Sequence, residues 1–263
     1  MWSLFQILAR MPLPLMQGLG AGLGWLVWAL SPAYRREFRK QVQAAGVPWA
    51  KARPAIAHLG RMTAELPWLW ARPAGQSVLS RVTFDGLDRY DAAMNKGRGV
   101  IILSPHLGCW EIGAQALAEV RLNPHGPLAV LFRPSRKATL AGIQLQARER
   151  DGVVPAAADA RDGQGEWAPW FGRPVYTMTL LVKLAEQTGA EVLWCWAERL
   201  NGGRFKVHLA QQSLAVDLSD AQQPMHDRLA QMNQGIEALV LQAPGQYLWP
   251  YARDKQPRAG GAS

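Results

Sequence analysis

The sequence predicts an α/β fold. Short apolar, β-branched runs recur after residue 81, stretches with helical spacing separate them, and glycine-bearing turn signals mark their ends. A long uncharged stretch and a basic helical stretch precede this pattern, so the chain divides into 1–34, a membrane anchor; 35–80, a basic helical region; 81–255, the α/β domain; and 256–263, a frayed polar tail.

The anchor rests on Met11 to Tyr34, which carries no charge and is long enough to cross about 30 Å of hydrocarbon. Pro12, Pro14 and alternating Gly18, Gly20, Gly22 and Gly24 interrupt it, so a span and an interfacial helix both remain open, as does a buried globular helix. Trp25 and Trp28 stand where headgroup anchors belong, and Gly18/Gly22 and Gly20/Gly24 match small-xxx-small packing. Basic residues follow the apolar run rather than precede it, which disfavours a signal peptide; a span with this bias leaves the remaining chain in the cytoplasm.

Between Tyr34 and Pro73 eight basic residues face only Glu37 and Glu65, so most of the formal charge of +9 is concentrated there. Such a surface suits nucleic acid or anionic lipid, and the neighbouring apolar segment decides for lipid. No aromatic-interleaved basic motif supports nucleic acid. The region reads as helical to about Ala71, with Leu59, Met62, Leu66 and Leu69 at spacings of three and four, and Pro67 as a kink or interruption.

In the α/β part, Gly99 to Leu103 reads as a buried strand, Trp110 to Val120 as a helix, and Leu128 to Phe132 as a second buried strand. Thr177 to Thr188 reads as a helix closed by Gly189, and Ala190 to Ala197 as another buried strand. Asn201-Gly202-Gly203 turns into Arg204 to Ala210 as a hairpin, and Met225 to Leu241 is a core-facing helix. Gly, Pro and apolar residues are too dispersed for collagen or disorder, and two cysteines, Cys109 and Cys195, exclude a disulfide scaffold or a structural zinc site. Neither a phosphate-binding Gly-rich loop nor a G-x-S-x-G elbow is present, so no cofactor and no metal is expected.

Chemistry belongs where a strand's carboxyl end gives way to a loop and helix, at Ser104-Pro105-His106-Leu107-Gly108-Cys109-Trp110-Glu111. On one continuous helix, His106 and Glu111 would point about 140° apart. They can meet if His106 sits on the loop and Glu111 on the first helical turn, where the helix N-terminus favours a carboxylate. Gly108 gives that loop its freedom. A carboxylate on one imidazole nitrogen leaves the other to act as a general base. Set against this are His106 as a mere cap, Cys109 as a nucleophile paired with a histidine or, more simply, as a buried thiol, and the Trp pairs 68/70 and 194/196 as packing residues. His58, His125, His208 and His226 share no obvious constellation.

GVIILSPHLGCWEIG resembles the H-x4-D/E box of the glycerolipid acyltransferase superfamily, in the H-x-G-x-W-E form of the lipid A late acyltransferases. Phe132-Arg133-Pro134, Pro169-Trp170-Phe171-Gly172-Arg173-Pro174 with Thr177, and Pro244-Gly245-Gln246-Tyr247-Leu248-Trp249 resemble three further motifs of that family, in order. The resemblance implies a glycerolipid-acyltransferase-like mixed sheet flanked by helices, in an inner-membrane enzyme facing the cytoplasm. Its implied partners are acyl carrier protein or acyl-CoA as donor and an anionic, phosphorylated lipid as acceptor. It implies His106 as base, Glu111 as its orienter and Arg133 at an acceptor phosphate, with Arg173 and Gly108 completing the substrate-binding set; backbone N–H groups near Gly108 are candidate oxyanion donors. The chain departs from the family at Cys109, Gly245 and Tyr251, commonly Asn, Glu and His there. About one helix and an Asp-Gln-Asp-like turn are lacking between Val153 and Glu166, where Asp159 and Asp162 are imperfect stand-ins. These departures leave an altered acceptor, or a non-catalytic lipid-binding paralogue, as alternatives.

Overall fold

The computed structural model describes residues 2–73, 75–121, 126–132, 141, 142, 145, 152–157, 165–210 and 217–251. Arg133, His125, Asp159, Asp162 and the tail at 256–263 lie outside them. The first helices are α1 (Trp2–Leu8), α2 (Leu13–Leu30), α3 (Pro32–Ala44), α4 (Trp49–Ala52) and α5 (Ala55–Ala71). Ser31 ends one helix and starts the next: its Oγ accepts the Tyr34 N–H at 3.3 Å, and Pro32 occupies the first turn, where a missing N–H costs nothing.

The glycines of α2 do not interrupt the helix, and two of them, Gly20 and Gly24, form a docking face. A Cβ on Gly20 would lie 2.6 Å from the Gly60 carbonyl oxygen, one on Gly24 2.3 Å from the Ile56 oxygen, and one on Gly60 1.8 Å from the Gly20 oxygen. Only hydrogen fits at this crossing of α2 and α5, so the two backbones touch. Gly18 and Gly22 face open space instead. The same face of α2 buries Leu13, Met16 and Gln17, while Leu15, Leu19, Leu23, Leu26 and Leu30 are exposed on the other. α2 is long and apolar enough to cross a membrane by length and composition.

After a short 3₁₀ turn come β1 (Val82–Asp85), α6 (Leu87–Met94), β2 (Val100–Leu103), α7 (Trp110–Val120), β3 (Leu128–Phe132), β4 (Val153–Ala157), β5 (Gly165–Trp170) and β6 (Arg173–Met178). α8 (Leu180–Thr188), β7 (Glu191–Arg199), β8 (Phe205–Ala210) and α9 (Met225–Gln242) follow. The main sheet has the order β1-β8-β7-β2; β1/β8 and β7/β2 are parallel, and β7/β8 form the antiparallel hairpin expected from the Asn-Gly-Gly turn. Side chains alternate across β7. Trp194 and Trp196 point into the layer with α9, where Gly235 lets the Trp194 ring approach, and Leu193, Cys195 and Ala197 point into the layer with α7.

Two expectations need correction. β3 is not a buried strand of the main sheet: it pairs with β4 in a separate two-stranded parallel sheet, and Leu131 is 51% exposed. The helix expected from Thr177 begins only at Leu180, because Tyr176, Thr177 and Met178 pair with Trp167, Glu166 and Gly165 as the second arm of the antiparallel β5/β6 hairpin. Phe171 and Gly172, both at positive φ, turn that hairpin. Gly189 closes α8 in the left-handed conformation, as its sequence position implied.

Candidate active site

β2 and β7 run in parallel register from Val100/Glu191 to Leu103/Trp194. Continued unbroken, that register would set residue 106 opposite Ala197, but Gly108 is the residue that meets Ala197. Two extra residues therefore bulge out of the strand's path, and His106 sits on the bulge. The return is fixed tightly: Gly108 has φ +63°, and a Cβ there would lie 1.9 Å from the Ala197 oxygen.

The other side of the loop is also fastened. The Leu248 N–H donates to the His106 oxygen at 2.9 Å, the Gly108 N–H to the Gln246 oxygen at 3.0 Å, and the Cys109 N–H to the Ala197 oxygen at 2.7 Å. The N–H groups of Gly108 and Cys109 are thus committed to backbone carbonyls, and Gly108 shapes the loop. The P-G-Q-Y-L-W segment owes its place to this pairing, and the Gln246 side chain extends it by bonding both backbone groups of Arg199.

His106 is held between aromatic rings, stacked on Tyr251 at 4.5 Å and edge-on to Trp110 at 4.9 Å. Glu111 occupies the first turn of α7, as the spacing required, and accepts the Trp70 indole N–H at 3.3 Å. Tyr251 and Trp70 are thus residues that sequence reasoning missed. The sequence offers Trp70 only as a packing residue and Tyr251 only as a departure from the family pattern.

Beneath the loop lies a buried polar cluster with no local signal in the sequence. Glu65 on α5, fully buried, accepts from Arg199 Nε at 2.9 Å and from Gln17 Nε2 at 2.8 Å, and Arg199 Nη2 lies 2.8 Å from its Oε2. Cys109 is 2% exposed beside this pair. Burial, followed by the Glu65 charge, pushes its thiol well above the ordinary range, which is the environment of an inert thiol and not of a nucleophile. His58 lines a small cleft with Gly108, Trp110 and Tyr247; burial, with Arg199 and then Arg61, pushes it down to about 3, so it stays neutral.

Arg173 is brought to a different place from His106. It opens β6 and lines a cleft with Arg35, Arg36, Arg39 and Lys40 of α3. His208, thought isolated, lies between Asp85 at 3.3 Å and Glu198 at 3.0 Å and stacks on Trp196, in a cross-strand charge cluster. Among the described residues no group of His, Cys, Asp and Glu has the arrangement of a metal site.

A histidine on a strand-end bulge, a carboxylate in the first turn of the next helix, and an apolar helix docked against the same domain are the features of acyl-transferring proteins of the H-x4-D/E class. The family is particular: residues 2–157 and 154–255 match the family model for bacterial lipid A biosynthesis acyltransferase, and the chain belongs to that family. It is 30% identical to the phosphatidylinositol mannoside acyltransferase of Mycobacterium tuberculosis, over 56% of this chain and 54% of that protein. It is 24% identical to the lipid A biosynthesis palmitoleoyltransferase of Escherichia coli, over 78% of this chain and 71% of that protein. A lipid A biosynthesis acyltransferase of Haemophilus influenzae is 27% identical over 64% of this chain and 58% of that protein. The chain spans about half the length of the mycobacterial relative.

Proposed function

We propose that the protein transfers a fatty acyl group from a thioester, acyl carrier protein or acyl-CoA, to a hydroxyl of a phosphorylated lipid of the lipid A precursor type. His106 takes the hydroxyl proton as the oxygen attacks the thioester carbonyl. The tetrahedral intermediate collapses, the C–S bond breaks, and the leaving thiolate takes the proton back from the imidazolium. Glu111 orients the imidazole and stabilises its charge, as a carboxylate does in other base-assisted transfers. Arg133 is assigned to an acceptor phosphate by its place in the F-R-P motif. The chemistry asks for no cofactor or metal.

The observation that carries this reading is the bulge, which puts His106 outside the sheet and Glu111 on the adjoining helical turn. A direct transfer is favoured over an acyl-cysteine because Cys109 is buried. The enzyme is proposed to work at the cytoplasmic face of the inner membrane. There α2 would lie along the interface and not across the bilayer, since Gln17, on its inward face, is bonded into the domain through Glu65. A different phosphorylated glycolipid acceptor is the second reading, favoured by the identity to the mycobacterial relative.

The test is acyl transfer by the purified chain, with intact-protein and lipid mass spectrometry. His106→Ala should abolish transfer, Glu111→Gln should lower kcat by a large factor without unfolding the protein, and Cys109→Ala should be mild. An active His106→Ala protein, or a dead Cys109→Ala protein alongside an acyl-enzyme in the wild type, overturns the mechanism.

A further inference from the structure

Trp68 and Trp70, near the end of α5, meet different neighbours. Trp68 is buried, with the Arg72 and Arg81 guanidinium groups 5.7 and 5.9 Å from its ring. Trp70 is half-buried and aims its indole N–H at Glu111 Oε2, 3.3 Å away and 41 residues along the chain. Phe5 of α1 stacks on the Trp70 ring, with centroids 6.0 Å apart and planes 15° from parallel, and Trp2 continues the stack onto Phe5 at 6.5 Å. Trp2 and Phe5 are three apart in α1 and so share a face of that helix, while Leu4 and Ile7 are exposed. An indole has a single N–H as its hydrogen-bonding group, so fixing the plane of the ring fixes the direction in which that N–H points.

The carboxylate of a glutamate turns on a long side chain whose last torsion is broad. In the first turn of a helix it is also drawn to that helix's own N–H groups, which lack intrahelical partners. A carboxylate that must orient an imidazole needs one plane and one direction, held by contacts from outside its own helix. The Trp70 bond supplies such a contact from α5. Its donor is neutral, so it takes up less of the carboxylate's charge than an arginine or lysine in that place would, and that charge stays available to an imidazolium.

We propose that Trp70 is a positioning residue for acyl transfer: its indole N–H sets the plane of the Glu111 carboxylate, and Phe5 of α1 seats the indole. The inference rests on the reading of Glu111 as the orienter of His106. It gives α1 a share in the chemistry, reached through two rings and one hydrogen bond, from Phe5 to Trp70 to Glu111. A residue that only filled space at position 70 would be served as well by phenylalanine, whose ring packs and stacks but donates nothing.

The experiment is acyl transfer by the purified full chain in detergent micelles, with a lauroyl thioester of acyl carrier protein as donor and a phosphorylated lipid A precursor as acceptor. Trp70→Phe should lower kcat about three- to ten-fold, the size expected for one hydrogen bond to a charged group, and leave both KM values within about two-fold. The same substitution is then made in Glu111→Asp, which keeps the charge but draws the carboxylate back from α5. There it should lower kcat by less than about 1.5-fold, because the bond is already gone. Equal losses in the two backgrounds would make Trp70 a packing residue and overturn the proposal, as would an unchanged kcat in Trp70→Phe. Phe5→Leu should lower kcat about two-fold and add nothing to Trp70→Phe; an unaltered kcat would overturn the seat on α1. A readout independent of turnover is the Trp70 indole N–H resonance in isotope-labelled protein, assigned by its loss in Trp70→Phe. It should move in Glu111→Gln, and a resonance that stays in place sinks the proposal even where the wild type transfers nothing to this acceptor. His106→Ala separates the two claims: an active His106→Ala protein removes the catalytic reading, whereas an inactive one beside an unimpaired Trp70→Phe protein removes the positioning role alone.

Discussion

Arg199 and Arg173 make opposite uses of one side chain. Arg199 is buried against Glu65 with three short contacts, and two other buried arginines follow its pattern, Arg72 with Glu119 and Arg228 with Glu186. Arg173 lines a cleft with four cations of α3, and among the described residues the partner it reaches is the Gln41 amide oxygen at 3.4 Å. Where a buried carboxylate meets it, the guanidinium ties one element to another, helix to sheet for Arg199 and helix to helix for Arg72 and Arg228; Arg173 meets none among the described residues. The lesson is that the carboxylate beside an arginine, more than its burial, separates the two roles here.

The sharpest way to break that contrast is to remove one charge of the paired cluster. Glu65→Gln or Arg199→Gln should each cost about 3–5 kcal/mol, because the surviving charge is stranded in the interior, and denaturant titration should show the loss at every salt concentration. If the cost were under 1 kcal/mol, the cluster would be ornamental and the contrast would fail. Gly60→Ala, which forces apart the helix crossing that carries Gln17 and Glu65, should cost about 1–3 kcal/mol. The same titration checks it, and a neutral result would mean that α2 is not docked as described.

A pH comparison sharpens the picture further. His58 has its folded value pushed down to about 3, against an ordinary 6.5. Its neutral form therefore contributes stability that is whole above pH 6.5 and is lost as the pH falls toward 3. Between pH 6.5 and 5 the loss should approach about 2 kcal/mol, and His58→Leu should remove that part of the slope. Smallest of all, Arg173→Gln should change stability by less than about 0.5 kcal/mol, since no carboxylate among the described residues loses a partner. A large destabilisation by Arg173→Gln would place it with Arg199 after all.

Much of the fold could be read from local pattern. α7 and β3 fall where periodicity and β-branched runs put them, and α9 and β7 differ by a residue or two at their ends. Non-local pairing was illegible. The β5/β6 hairpin hides in a motif with prolines at 169 and 174, and it captures Thr177, which by its neighbours belongs to the following helix. For the site, the position of Glu111 in the first turn followed from helix geometry, and the need for glycine at 108 from the loop; the fate of the Gly108 N–H did not, because its acceptor, Gln246, is far along the chain. Glu65 and Arg199 are 134 residues apart, and nothing near either announces the other. Arg173 shows a further limit: a motif match named the residue, while its neighbours on α3 came only from the packing of the hairpin against that helix.

That separation has a consequence for how the protein comes into being. Glu65 meets Gln17 early in synthesis but must await Arg199. At about 5–20 residues per second, translation leaves it waiting roughly seven to twenty-seven seconds. During that interval the growing chain carries a carboxylate on a helix whose permanent cation does not yet exist, and α2 and α5 are held by the glycine crossing, the Gln17 bond and apolar contacts such as Leu13 with Trp68 and Leu69. The pairing of the first helices is thus provisional, and the last main-sheet strands convert it into a lasting one. A nascent chain stalled before residue 199 should therefore be more easily digested by protease across its first 70 residues than the same segment in the finished protein.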